Sequence, residues 1–393
     1  MFYPKWLKKD NHLHSTTVLF LVTVTLVGIG LVMIYSASAI GNRDSSYYLR
    51  HQFCWLLGSV PLFMIASSIP YREFQKRSLP LLMIGLIMLG LTLTPWFGVR
   101  INGSQRWFEI PLTKLRFQPA EMIKLILIIF MADFISRKQN VIKEFRRGFL
   151  PLLIPLVIVV GLVGMQPHLG MGLLMGIVIL LLLAVGGVKL RYLVYLLTGA
   201  MLFCGLAIWN YPYQLKRILV QFPSDSSIIR QVVEWRFPPS EVEQIIESVE
   251  EGRYHPKQLI SAIGNGKITG QGPGGSQQKL GFVPVPESDS IFAILAEEFG
   301  FLGTGFILLL FLLFLWIGVK IALTSKDMFG SLLAFGLTTI IVLQASINIA
   351  VNTGMMPTTG LPMPFISYGG SSLVSTLIGV GILLNVSKET RYV

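Results

Sequence analysis

A lone carboxylate at the edge of a long apolar run is the group in this chain best placed to do chemistry. Asp289 lies in QQKLGFVPVPESDSIFAILAEEFG (277–300), at the end of a polar, Gly- and Pro-containing stretch and just before the first turn of the apolar run. Such a group is costly at a membrane lip unless it is solvated, paired or used. Few other ionisable residues lie near or inside apolar segments: Glu121, Lys124, His168, Glu297 and Glu298. Glu121 and Lys124 are three apart and share a helical face, which suits either a structural ion pair or a pair facing substrate. Glu297, at i+8, faces the same way as Asp289, whereas Glu298 points elsewhere. His168 follows Gln166-Pro167 and has no second His or Cys at ligand spacing, so it does not argue for a metal. Neither a Ser-His-Asp set nor HExxH is visible, which leaves hydrolysis unsupported. One carboxylate can still serve group transfer as a general base when the leaving group is as good as diphosphate. Basic side chains would then stabilise the departing charge.

Membrane helices must position these groups. The 393 residues are 53% hydrophobic and 13% charged, and the mean hydropathy is +0.66. Soluble domains carry roughly 25% charged residues. The composition excludes a soluble globule and predicts an all-α, polytopic membrane protein. Apolar segments lie near 16–40, 52–69, 79–95, 119–136, 150–165, 168–187, 192–210, 291–321, 329–351 and 366–386. By a yardstick of about 20 residues per crossing these make about ten spans. Residues 1–393 therefore read as one transmembrane domain, with 211–290 as a single large loop between spans 7 and 8. The first span lacks a cleavage site and reads as a retained anchor. Cys54 and Cys204 both fall in apolar segments, against a disulfide framework.

Orientation follows from the short loops. One face carries 17 Lys and Arg residues, from Lys5 to Arg391; the other carries 6, namely Arg43, Arg50, Arg100, Arg106, Lys114 and Arg116. The positive-inside rule makes both termini cytoplasmic and the 211–290 loop external. The net charge of +12 comes largely from this bias and does not indicate nucleic acid binding. An external active site meets no cytosolic nucleotide, so its substrate must arrive already activated.

Four connecting segments are distinctive. GVRINGSQRWFEIPLTKLRFQ (98–118) mixes aromatic and basic residues, which fits an interfacial anchor or a basic surface for a phosphate-bearing lipid. SEVEQIIESVEE (240–251) predicts an amphipathic helix with a Ser240/Glu243 capping box and a stop at Gly252, lying on the bilayer or on the ends of the spans. GNGKITGQGPGGSQQKLG (264–281) fails the Walker pattern and reads as a flexible or re-entrant loop whose backbone can approach a ligand. NTGMMPTTGLPMPFISYGGSS (352–372) carries no charge and should line a cavity rather than face lipid.

The motifs GLVMIYSASA (30–39), NGSQRWF (102–108), FQPAEMIKL (117–125), QPHLGMG (166–172), GSQQKLGFVPVPESDSIFAILAEEFGF (275–301) and GLPMPFISYGGSSL (360–373) occur in order along the chain. Together they resemble the shape, elongation, division and sporulation (SEDS) family, the FtsW/RodA type. The resemblance implies an enzyme of the bacterial cytoplasmic (inner) membrane that polymerises lipid II on the outer face as a peptidoglycan glycosyltransferase. It places the essential aspartate on Asp289, matches the family's fourth-span Glu and Lys to Glu121 and Lys124, and matches its Arg-Trp pair to Arg106 and Trp107. Lys114 joins Arg106 and Lys124 as a diphosphate-holding candidate. Gln118, Gln166, Lys279, Glu297, Ser367 and Tyr368, within the matched motifs, complete the expected substrate-binding set. The family implies a class B penicillin-binding protein as transpeptidase partner, with other divisome or elongation membrane proteins. No cofactor is required, although a divalent cation (Mg or Mn) accompanying the lipid diphosphate is compatible with it.

Two departures stand out. The family has Asp after Gln-Pro, where this chain has His168. It reads His-Thr-Asp-Phe where this chain has Glu287-Ser288-Asp289-Ser290. The 240–251 helix reads as an insertion. Gln278-Lys279-Leu280 and Gly369-Gly370-Ser371-Ser372 lean toward the division and sporulation branch. The rival readings are a lipid II flippase, disfavoured because no internal repeat is visible, and a non-catalytic divisome scaffold.

Overall fold

The computed structural model describes residues 12–39, 45–101, 104–109, 116–166, 168–210, 212–223 and 227–389. Lys114 lies outside the described residues, as do Asn102, Gly103 and Pro167.

Each apolar segment falls on a helix. In chain order the first are α1 (His12–Ser38), α2 (Ser45–Ser68), the short α3 (Tyr71–Lys76), α4 (Ser78–Thr92) and α5 (Pro119–Arg137). Then come α6 (Leu150–Met165), α7 (Leu169–Val185) and α8 (Leu190–Asn210). The 211–290 segment contains α9 (Pro212–Leu219), α10 (Ser227–Arg236), α11 (Pro239–Gly252) and α12 (Tyr254–Asn265). The chain ends in α13 (Ile291–Thr324), α14 (Met328–Asn352) and α15 (Gly370–Glu389). Among the described residues, 5 helices are long and apolar enough to cross a membrane, and shorter apolar helices accompany them. Large apolar side chains such as Leu57, Ile87, Val157, Met201 and Leu309 stay on the outside of the bundle, as a lipid-facing surface requires. The central helix is α15, buried along almost its whole length against α1, α2, α5 and α14.

The fold is not purely helical. Within 98–118 the chain forms an antiparallel sheet, β1 (Gly98–Ile101), β2 (Ser104–Glu109) and β3 (Arg116–Phe117), in the order β1-β2-β3. Val99 lies opposite Trp107, and Phe108 opposite Phe117. Such aromatic and β-branched cross-strand pairs stabilise a short sheet. The Gln105 side-chain amide ties it to the end of α4 by donating to the Thr94 and Gly98 carbonyls at 2.7 and 3.0 Å.

The amphipathic helix appears as α11, but the expected capping box does not form. The N-cap is Pro238, with no side-chain cap bond, and Glu243 pairs instead with Arg230. Its apolar face does not lie on the spans either. Val242, Ile245 and Val249 pack with Leu215, Leu219, Ile229, Val233 and Phe237 into a small core of their own. Three short helices with one apolar stripe each bury more by facing one another than by lying flat.

The glycine-rich run approaches backbone rather than ligand. Gly300 (φ 65°, ψ −162°) breaks α13, interrupting its hydrogen-bond ladder. Residues 267–272 fill the gap. Gln271 and Gly272 N–H groups donate to the Glu297 and Glu298 carbonyls at 2.9 and 3.0 Å, while Phe301 and Leu302 donate to the Lys267 and Ile268 carbonyls at 2.9 and 3.1 Å. A Cβ on Gly266 would collide with the Ala296 carbonyl, and one on Gly270 with that of Glu298. Irregular backbone at this depth survives because another backbone satisfies it.

Candidate active site

Asp289 sits in a turn whose main chain is clamped from two elements. From the loop between α14 and α15, Ser367 Oγ donates to the Ser288 carbonyl (2.7 Å), and Tyr368 N–H donates to the Glu287 carbonyl (2.8 Å). From α14, Asn348 and Asn352 lie one turn apart, and both donate to the Asp289 carbonyl, at 3.0 and 2.9 Å. Asn348 also holds the Leu361 carbonyl at 2.9 Å, which locks the two loops together.

The carboxylate is treated differently from its own backbone. The Ser288 hydroxyl donates to Oδ1 at 3.2 Å, and Oδ2 lies toward Gly360, where a Cβ would come within 3.8 Å. A cavity of about 30 Å³ opens beside it, bounded by His255, Leu259, Asn348, Val351 and residues 358–361. That volume admits about two waters and no sugar, so a substrate must displace part of this wall. Burial pushes the Asp289 carboxyl above the ordinary carboxylate value, and Glu287 adds to the rise. The Ser288 bond and the Arg217 and Arg106 charges oppose it. The start of α13 just beyond adds the positive end of a helix dipole.

A cationic wall adjoins this turn. Arg106, on β2, donates from Nε to the Gln166 carbonyl at 2.7 Å, pinning the sheet to the α6–α7 junction. Arg217, on α9, donates to the Thr358 carbonyl at 3.0 Å. Both act electrostatically on Asp289 and on the buried His168. His168 caps α7 by accepting the Met171 N–H at its Nδ1 (3.4 Å), so that nitrogen carries no proton. Gly170, in the first turn of α7, leaves room for the Thr359 carbonyl at the cavity wall.

The remaining charged candidates form closed clusters. Lys124 donates to Glu121 and to Gln344 Oε1 (2.8 Å); Gln344 donates in turn to the Pro362 carbonyl (2.8 Å), and Ser375 donates to Glu121 (3.3 Å). Both charges are about 2% exposed. Lys279 is buried with Glu298 (2.8 Å), and Ser36 bonds to both. Glu297 accepts from Ser276, from the Gln278 N–H (3.2 Å) and from Asn265 (3.3 Å), and so anchors the glycine-rich loop. Gln118 is the N-cap residue of α5; its backbone N–H donates to Ser371 Oγ (2.9 Å), while its buried Nε2 has no partner. The Gln166 amide bonds to Thr92 and leaves its Oε1 unpartnered. Trp107 is part-buried on β2 beside Arg106.

The fold therefore gathers Arg106, Gln166, His168 and Asp289 at one end of the bundle, with Ser367 and Tyr368 as a backbone clasp. Glu297 and Lys279 lie in separate packed clusters. Residues that sequence reasoning missed also border the cavity, namely His255, Asn348 and Thr358, with Arg217 behind them on the Thr358 carbonyl. The spacing of Asn348 and Asn352 at i and i+4 in an apolar helix was a readable signal. Arg217 and His255 come from the long loop and had none.

Fold and site define a multi-pass membrane protein with a carboxylate of raised pKa at the end of its helix bundle. Residues 16–392 match the FtsW/RodA/SpoVE family of cell cycle proteins, and the chain belongs to that family. It is 39% identical over 380 residues to the stage V sporulation protein E of Bacillus subtilis, covering 95% of this chain and 97% of that protein. It is 36% identical to the probable peptidoglycan glycosyltransferase FtsW of Geobacter sulfurreducens over 378 residues, 95% of each. Its fold resembles a chain of a peptidoglycan synthase complex studied for the coordination of polymerization and crosslinking (TM-score 0.73, 26% identity, 95% of this chain and 98% of the other). It also resembles the rod shape determining protein RodA of Thermus thermophilus (TM-score 0.66, 25% identity, 99% and 100%).

Proposed function

We propose that this chain is a peptidoglycan glycosyltransferase that polymerises lipid II on the outer face of the bacterial cytoplasmic membrane. The observation that carries the reading is the Asp289 carboxylate, half-buried at a cavity and under the charges of Arg106 and Arg217, while its backbone is locked in place. Asp289 takes the proton from the 4-hydroxyl of the acceptor sugar. That oxygen attacks the donor's anomeric carbon from the face opposite the diphosphate, forming the glycosidic bond with inversion at that carbon, while the carbon–oxygen bond to diphosphate breaks and undecaprenyl diphosphate leaves with its electron pair. The raised pKa makes Asp289 a stronger base than an ordinary carboxylate, and Arg106 and Arg217 offset the negative charge that develops on the leaving diphosphate. Lys114 is proposed to extend this cationic surface.

The topology proposed is ten spans with cytoplasmic termini. Charge bias supports it, as does the gathering of Arg106, Gln166, His168 and Asp289 at one end of the bundle. Among the described residues no three His, Cys, Asp or Glu side chains converge as metal ligands. A divalent cation (Mg or Mn) therefore enters the proposal only as a counter-ion of the lipid diphosphate. A class B penicillin-binding protein is the proposed partner. The division and sporulation names of the relatives support a role in that branch.

The test is purified chain with its transpeptidase and labelled lipid II. Glycan ladders are expected from the unsubstituted chain and none from Asp289→Asn. Normal ladders from the variant would remove Asp289 from the mechanism. Lipid translocation without ladders would replace the proposal with a flippase.

A further inference from the structure

The cavity wall that Asp289 shares carries a second titratable group that the mechanism above does not use. His255, on α12, lines the same cavity as Asp289, and its Nε2 lies 3.2 Å from Ser290 Oγ. Ser290 has one proton, and it donates that proton to the Pro284 carbonyl at 3.3 Å. With the Ser290 proton on Pro284, the Ser290 oxygen is free to accept from His255, the arrangement of the tautomer that carries its proton on Nε2. Nδ1 is left as the ring's acceptor, with no partner among the described residues.

The charges around His255 favour the neutral ring. Burial, and after it the charge of Arg217 on α9, pushes the imidazole below its ordinary value. On its own side of the fold Glu250 is engaged by Arg253 at 3.1 Å, and α14 presents Asn348 and Val351 to the cavity. Asp289 is the one carboxylate among the residues lining that cavity. Ser290 is the partner in this arrangement, and it stands where the family pattern His-Thr-Asp-Phe has phenylalanine. A phenylalanine there offers His255 no hydrogen-bonding oxygen.

We propose that His255 is a substrate-binding residue of this chain, whose Nδ1 accepts a hydrogen bond from a sugar hydroxyl of the acceptor next to the one Asp289 deprotonates. Ser290 is its positioning partner. The assignment rests on the glycosyltransferase reading and adds to it one specificity contact on the acceptor side.

Two isosteric variants separate the nitrogens. In His255→Gln the amide reaches the Nε2 position and keeps Ser290 company, but the acceptor at Nδ1 is gone. In His255→Asn the amide oxygen stands near Nδ1 and the Ser290 contact is lost. Both are measured in the full chain with its transpeptidase partner, as KM and kcat for labelled lipid II. H255Q is expected to raise KM about 3- to 10-fold with kcat nearly unchanged, the effect of one neutral hydrogen bond. H255N should recover most of that loss. Ser290→Phe, which frees the ring to turn, should raise KM in the histidine background and do nothing further in H255Q.

An unchanged KM in H255Q, with ladders from the unsubstituted chain, overturns the role of His255 alone. A fall in kcat with constant KM in both variants also overturns it, since it marks a structural effect on the Asp289 turn. No ladder from the unsubstituted chain overturns the glycosyltransferase reading, and this inference with it.

Discussion

Two carboxylates, the buried Glu121 and the half-buried Asp289, contrast a structural charge with the one proposed to react. Glu121 is paired with Lys124 and backed by Ser375, and the pair continues through Gln344 to the Pro362 carbonyl. The partners of both charges there are side chains directed at the charged groups themselves. At Asp289 the partners are directed at the backbone: Asn348, Asn352, Ser367 and Tyr368 hold main-chain groups, and the carboxylate keeps one weak hydroxyl contact. A buried charge that is fully paired is inert and costly to disturb. One that is positioned but underpaired has a raised pKa and proton affinity in reserve. This contrast supports the proposal that Asp289, and not Glu121, takes the proton from a substrate.

Substitutions that exchange these roles give the sharpest tests. Asp289→Asn is expected to lower polymerisation by roughly 10²- to 10⁴-fold, the range for a positioned general base, without lowering the thermal midpoint. The sign follows from the raised pKa. A carboxyl that binds its proton more tightly in the folded chain contributes stability below the ordinary carboxylate pKa, and that contribution is lost as pH rises through the folded value. Asparagine cannot ionise, so near neutral pH it removes a destabilising charge. A lower midpoint in D289N would show that the carboxylate is structural. The same shift places the acid limb of the rate profile above that of an ordinary aspartate.

Lys124→Ala should do the converse. It strands Glu121 in the bundle at a cost of about 3–5 kcal/mol, read as a large drop in thermal midpoint in detergent. Glu121→Gln combined with Lys124→Met should recover much of that loss. If the double variant is stable yet inactive, the pair faces substrate and the comparison with Asp289 fails.

The loops give smaller effects. Gly270 has φ 81° and no room for a Cβ beside the Glu298 carbonyl. Gly270→Ala should cost roughly 1–3 kcal/mol from backbone strain alone, seen as earlier unfolding and as faster proteolysis of the 264–281 segment. Val285, four residues before Asp289, is a β-branched residue at φ 48° with an exposed side chain. Val285→Gly should relieve about 1 kcal/mol of left-handed strain, partly offset by greater unfolded-state entropy. A midpoint that falls instead would mean that the strained turn is held by packing of the valine.

Much of the helical architecture was legible because apolar length and periodicity are local properties. The segment 329–351 needed only its composition to announce α14. The sheet at 98–117 was not legible, since its strands are short and two of them depend on partners brought back by a hairpin. The capping box at Ser240 failed for a related reason: Pro238 and Pro239 already set the helix start, and Arg230 competed for Glu243. The glycine-rich run was recognised as a place for close backbone approach, but not what it approaches, because the break at Gly300 matters only once α13 lies beside it.

The sequence alone determined that Asp289 would stand at the mouth of a membrane helix, that the chain would be a helical membrane protein, and that its motifs follow one family from the first span to the last. These depend on residue type, spacing and the cost of polar groups in lipid. Tertiary structure decided which charges are satisfied. Glu297 and Lys279 lie as close to Asp289 in sequence as any candidate, yet packing closes both into separate clusters. Arg217 and His255 come from helices of a long polar loop and reach the site only through folding. Electrostatic partnership depends on distances in space, and for Asp289 those distances are set by α9, α12 and α14.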